Sequence, residues 1–105
     1  MDKVLNEKID IYGLGNFLFF ILTNQSPHKG FKKEISHQMV ADGIAPAFPR
    51  KIMKSRDPAI ALLRRVISKC HIADPNKRPT AREVANELIN GYKMLTSGKK
   101  YDIIN

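Results

Sequence analysis

The chain has 105 residues, enough for one compact unit and too few for a large two-lobed enzyme. Its composition, 43% hydrophobic and 27% charged without low-complexity tracts or solenoid-length repeats, is that of a globular protein. Eighteen Lys+Arg against ten Asp+Glu give a formal charge of +8 and a pI near 9.8, which favours acidic partners. The excess is scattered in pairs (Lys32 and Lys33, Arg64 and Arg65, Lys77 and Arg78, Lys99 and Lys100) with acids between them, and no nucleic-acid motif or aromatic row accompanies it.

Residues Met1 to Lys8 are too polar for a signal peptide, and the apolar run from Ile9 to Leu22 carries Asp10 and Asn16 and falls short of the roughly 20 residues a membrane span needs. The lone Cys70 excludes an internal disulfide framework and fits a reducing compartment, so cytoplasm is the default expectation. Because Cys70 lies beside an apolar helical stripe, it reads as a half-buried, inert thiol.

Periodicity gives four helical segments and no run of period-two alternation, so the expected fold class is all-α. The first helix, about Asp10 to Thr23, has almost no polar face: Ile11, Tyr12, Leu14, and the stretch Phe17 to Leu22 go round it. A helix apolar all round should be buried all round. It stops where Asn24 to Pro27 supply turn chemistry.

The second helix, about Phe31 to Asp42, carries Phe31, Ile35 and Met39 on one stripe, with Gly43 as a C-terminal stop. An extended connector, Ile44 to Lys54, follows, punctuated by Pro46 and Pro49. The third helix, about Pro58 to His71, should bury Ile60, Leu63, Val66, Ile67 and Cys70 and expose Arg64, Arg65 and Lys69. Asp57 is a good N-cap with proline at the first helical position. The fourth begins at Thr80, where Thr80 and Glu83 form a capping box, and should turn Ala81, Val84, Ala85 and Leu88 inward. From Gly91 the chain is basic and weakly periodic, and residues 91–105 are expected to be a frayed tail.

Two segments about sixty residues apart carry a resemblance. Asp10-Ile-Tyr12-Gly-Leu-Gly15 resembles the Asp-x-(Trp/Tyr)-Ser-x-Gly that opens the central buried helix of the eukaryotic protein-kinase C-terminal lobe, with Gly13 in place of serine. Asp74-Pro-Asn-Lys-Arg78-Pro79-Thr80 resembles that family's Asp-Pro-x-x-Arg-Pro-(Thr/Ser) turn before its last conserved helix. The order of the two, the proline turn after the first helix and the Gly43 to Pro49 connector strengthen the match, which runs from about Asn6 to Leu88. It implies a four-helix C-terminal portion of a protein-kinase-like large lobe, with residues 1–90 as a partial kinase domain.

The resemblance implies scaffolding roles. Asp10 would hold the backbone of the catalytic loop, and Arg78 would pair with a glutamate that closes the activation segment; Tyr12, Gly15, Asp74 and Pro79 complete the structural motif. A buried guanidinium that loses its carboxylate costs about 3–5 kcal/mol, so Arg78 is expected to want such a partner. The family's Gly-rich loop, strand lysine, His-Arg-Asp and Asp-Phe-Gly, which hold ATP and Mg²⁺ and position the acceptor, do not occur in the sequence. No catalytic, cofactor-binding or metal residue is assigned; ATP and Mg²⁺ belong to the intact parent. The expectation is a kinase-domain fragment, inactive by itself, whose partners are the upstream half of the domain and a protein substrate or partner at the second helix. The alternative is a non-catalytic basic helical adaptor docking to another protein.

Bland readings stand beside the sharp ones. His28, His37, His71 and Cys70 lack metal-ligand spacing, since neighbours on a helix point about 100° apart. Gly13 and Gly15 lie inside a helix, where close packing explains a Gly-x-Gly better than a phosphate loop does. Phe17, Phe19 and Phe20 would face the rest of the lobe and form an exposed apolar patch without it. Arg64 and Arg65 read as a solvated face.

Overall fold

The computed structural model describes residues 3–104, with side-chain environments for residues 6–97. Five α-helices and one 3₁₀ turn follow in order: α1 (Lys3–Thr23), α2 (Lys33–Ala41), α3 (Arg50–Met53), α4 (Pro58–Cys70), the turn Pro75–Lys77 and α5 (Ala81–Ile104). Among the described residues there is no strand, so the fold is all-α. Helix α4 is the centre, packing against α1 on one side and α5 on the other, while the 3₁₀ turn docks on α1.

Local chemistry sets the helix starts. The Asp57 carboxylate accepts from the Ala59 amide at 2.8 Å, ahead of Pro58 at the first helical position. At α5 the capping box closes as expected: Glu83 N–H donates to Thr80 Oγ1 at 3.1 Å, and Thr80 N–H donates to Glu83 Oε1 at 2.9 Å. These bonds favour the ionised carboxylate, so Glu83 titrates below the usual glutamate range. Helix α2 ends on Gly43 at φ +76°, with the Gly43 and Ile44 amides donating back to Val40 and Met39.

The core joins Ile11 of α1, Leu62, Val66 and Cys70 of α4 and Val84 of α5, with Leu14, Leu18, Leu88 and Leu95 packed around it. Two glycines let the helices approach. A Cβ on Gly15 would stand 2.7 Å from Cys70 Cβ and 2.8 Å from His71 Nε2, so only glycine fits where α1 crosses α4. On α5, Gly91 takes the Leu62 methyls at a distance no Cβ would allow. Gly13 meets nothing within 4 Å, so of the two α1 glycines only Gly15 is required for packing.

Several expectations change. Helix α1 begins at Lys3, not near Asp10, and is not buried all round. Its stripe Ile11, Gly15 and Phe19 is buried, whereas Phe17 (61% exposed), Phe20 and Ile21 face out. The reason is what lies opposite: α1 packs mainly against α4 and the 3₁₀ turn. Contacts on that side leave the opposite side of α1 uncovered. Phe19, grouped with its neighbours as outward-facing, is instead 2% exposed and packs its ring 5.5 Å from that of Phe48.

On α4 the buried position is Leu62 rather than Leu63 or Ile60, and on α5 Val84 is buried while Ala81 and Ala85 are exposed. The connector after α2 is not wholly extended, because Arg50–Met53 make one helical turn. Arg64, read as solvated, donates to the carbonyls of Ile52 and Met53 and so caps that turn. Arg65 and Lys69 pair with Glu87 of α5 at 3.6 and 2.6 Å, an exposed tie between the two helices. Helix α5 runs through Gly91 to Ile104, through the segment expected as a tail; the side chains of 98–105 lie outside the described residues.

Candidate functional site

The site forms where the two motif segments meet. Asp74 starts the 3₁₀ turn: its carboxylate accepts from Asn76 N–H at 3.0 Å, its carbonyl from Lys77 N–H at 3.0 Å, and Pro75 follows it. This tight turn brings Arg78 back over α1.

The Arg78 guanidinium is half-buried and donates to three backbone carbonyls: Nε to Ile72 at 2.7 Å, Nη1 to Lys8 at 3.0 Å and Nη2 to Ala73 at 3.3 Å. Its central carbon lies 4.9 Å from the centroid of the Tyr12 ring, a cation–π arrangement. Lys8 returns the contact, its ammonium donating to the Arg78 carbonyl. Within the described residues its partners are carbonyls and an aromatic ring, with no carboxylate among them. Three of the five guanidinium N–H groups are engaged, and two remain.

The Tyr12 ring also lies 4.6 Å from the His71 ring. Burial raises the tyrosine pKa, opposed by the nearby Arg78 charge. His71 is 4% exposed, and its Nε2 sits 2.9 Å from Asn16 Oδ1. Burial first, then the charges of His28 and Arg78, push the His71 pKa down to about 4. The Cys70 thiol is fully buried and pushed up by burial and by Glu87, away from the reactive thiolate.

Beside this knot opens a cleft of about 460 Å³, lined by Lys8, Lys69, Lys77 and Arg78 together with Glu83 and Glu87. Four cations against two carboxylates suit an anionic group. Pro79 contributes to its wall.

Of the residues singled out from sequence, the structure joins Tyr12, Arg78 and Pro79, with Asp74 shaping the turn beneath them. Gly15 lies a turn further along α1 at the crossing with α4. Asp10 is exposed and borders a smaller, neighbouring groove of about 160 Å³ with Glu7, Lys8, Ile11, Thr80 and Ala81. Sequence reasoning missed Lys8, Asn16 and His71. Lys8 and Asn16 lie four residues before and after Tyr12, so helical spacing alone puts them on its face.

Among the described residues no group of three His, Cys, Asp or Glu side chains could hold a metal ion, and no helix is long and apolar enough to cross a membrane.

No family model matches the chain, and no solved structure matches it. Curated proteins do. The chain is 34% identical over 86 residues to the dual specificity protein kinase pyk3 of Dictyostelium discoideum, covering 81% of this chain and 6% of that protein. It is 32% identical over 90 residues to the serine/threonine-protein kinase ppk13 of Schizosaccharomyces pombe, covering 82% and 24%. With the receptor-interacting serine/threonine-protein kinase 4 of Mus musculus it shares 32% identity over 87 residues, covering 81% and 11%. The chain therefore spans less than a quarter of the length of these relatives. About four-fifths of it is similar to a stretch of protein kinases, and its all-helical architecture is consistent with the C-terminal part of a protein-kinase-like large lobe.

Proposed function

We propose that these residues are the helical base of a protein-kinase domain whose whole protein transfers phosphate from ATP to protein hydroxyls, the segment itself being a scaffold. The observation that carries this is the joining of the two motif segments: Arg78 lies over Tyr12 and donates to the carbonyl of Lys8, seventy residues away in sequence. In this reading the cleft beside Arg78 receives a carboxylate of the activation segment, using the guanidinium N–H groups that the carbonyls leave free. Exposed Asp10 holds the catalytic-loop backbone, and Phe17, Phe20 and Ile21 lie against the rest of the lobe. Helix α2, which buries none of its residues, offers a surface to a substrate or partner protein. The residues that bind ATP and Mg²⁺ belong to the whole domain, since none of their motifs occurs in the sequence.

The test is immunoprecipitation of the native product from its source cells with an antibody against residues 80–101, followed by transfer of radiolabelled phosphate from ATP to casein. A product well above 11.9 kDa that labels casein supports the reading. A product of 11.9 kDa without transfer refutes it.

One observation favours a second reading, a non-catalytic basic helical adaptor. Arg78 finds its partners inside the chain, and α1, α4 and α5 share a core of their own. A product of 11.9 kDa that is monomeric, folded and bound to another protein would carry that reading.

A further inference from the structure

The cleft beside Arg78 carries charge that its own side chains do not balance. Lys8, Lys69, Lys77 and Arg78 against Glu83 and Glu87 leave a net charge of +2 on its lining. Both carboxylates are already engaged. Glu87 holds Lys69 at 2.6 Å and, from outside the cleft, Arg65 at 3.6 Å, while Glu83 accepts the Thr80 amide in the capping box. Among the described residues the ion pairs all go to Glu87, so Lys8, Lys77 and Arg78 stand without a bound carboxylate.

Donors remain on these cations. The three carbonyls take Nε and one N–H from each terminal nitrogen of Arg78, leaving one N–H on each, a pair that can hold two oxygens of a single oxyanion. Those carbonyls and the Tyr12 ring also fix the guanidinium in place before any ligand arrives. Lys8 gives one of its N–H groups to the Arg78 carbonyl and keeps the others, and Lys77 adds an exposed ammonium. Val66, Ile72, Pro79 and Val84 give the same cleft an apolar wall. Its volume of about 460 Å³ exceeds that of any single anionic group and suits an anion joined to an organic body.

We propose that the cleft is a receptor for a phosphate monoester, with the phosphoryl oxygens on Arg78, Lys8 and Lys77 and the esterified group against the apolar wall. A carboxylate brings one charge and leaves a surplus of +1 on the lining. A phosphate monoester at neutral pH brings about −1.5 to −2 and three acceptor oxygens, which matches the lining more closely. The proposal deepens the functional reading above and rests on its cleft: where an activation-segment carboxylate fills that cleft, a phosphate monoester competes for the same N–H groups.

Isothermal titration of the full chain at pH 7.5 in about 150 mM salt, which screens exposed charges beyond about 8 Å, tests this with phenyl phosphate, benzoate and inorganic phosphate. Phenyl phosphate should bind at least about fivefold more tightly than benzoate, which has the ring but a single charge, and at least about threefold more tightly than inorganic phosphate, which lacks the ring. Lys77→Ala, at an exposed position outside the core, should weaken phenyl phosphate at least about fivefold, whereas Lys51→Ala, an exposed cation on α3, should leave its affinity unchanged. A smaller ratio to either comparison probe, or a loss on Lys77→Ala no greater than on Lys51→Ala, overturns the proposal. The titration reads the cleft alone, so it can fail while the whole protein still labels casein, and it can succeed where that labelling fails.

Discussion

Two glycines on one helix, two residues apart, should respond to the same substitution with opposite signs. Glycine in a helix interior is about 1 kcal/mol worse than alanine, so Gly13→Ala, with nothing within 4 Å of its new methyl, should stabilise the chain by about that amount. Gly15→Ala gains the same propensity but sets its methyl 2.7 Å from Cys70 Cβ, where carbon atoms ordinarily stand about 3.5–4.0 Å apart. The obstacle is a Cβ, which no rotamer change can move, so α1 and α4 must separate by most of an ångström. The nearby bond between His71 and Asn16 is strained in the same movement. Taking overpacking at the upper end of its usual range, about 3 kcal/mol, the net loss is about 2 kcal/mol. Urea unfolding at pH 7.5, followed by circular dichroism at 222 nm, reads both. With a slope of about 1.5 kcal/mol/M, the midpoint should rise by about 0.7 M for Gly13→Ala and fall by about 1.3 M for Gly15→Ala. A Gly15→Ala midpoint at or above that of the unaltered chain would refute the packing argument.

Arg78→Met removes three hydrogen bonds from a half-buried guanidinium and the contact with Tyr12; discounted for exposure, the loss should be about 3 kcal/mol in the same titration, and a loss under about 1 kcal/mol would mean that the carbonyls are content with water. Thr80→Ala should cost about 1 kcal/mol at pH 7. Because the capping box depends on ionised Glu83, whose pKa is depressed, that difference should shrink only as pH falls through and below the usual glutamate range, and a cost independent of pH down to 2 counts against the box. Replacing Phe17 and Phe20 together with serine should leave the unfolding midpoint nearly unchanged while reducing self-association in sedimentation velocity; a large stability loss would show that these rings are not exposed.

What could be read from the sequence is what depends on neighbours a few residues away. The caps at Asp57 and Thr80, the stop at Gly43 and the turn at Asp74 rest on bonds spanning two to five residues, and each is found where it was expected. Which face of a helix turns inward depends on what lies opposite, and there the reading slipped. Periodicity favoured Leu63 over Leu62, whereas the approach of Gly91 from α5 and the core shared with Ile11 and Val84 select Leu62. Gly91 itself looked like the end of a helix because its value is a contact with a residue twenty-nine positions earlier. The all-apolar circumference of α1 implied burial on every side, but α4 and the 3₁₀ turn, its main neighbours, cover only part of it. In the candidate site, Tyr12 and Arg78 were legible as motif residues. The carbonyls of Ile72, Ala73 and Lys8 were not, because backbone acceptors carry no sequence signature.

The mutual contact of Lys8 and Arg78 also bears on how quickly the chain can fold. It ties positions seventy residues apart, and closing a loop of that length costs about 4 kcal/mol of chain entropy before any contact rewards it. All-helical chains usually fold fast because their contacts are local, yet here the first helix docks on a partner that begins thirty-five residues after it ends. The contact between the two segments is therefore expected to close after α1 has found α4. If that order holds, Arg78→Met should speed unfolding and leave the folding rate nearly unchanged in stopped-flow chevron measurements, and an equal slowing of folding would refute it.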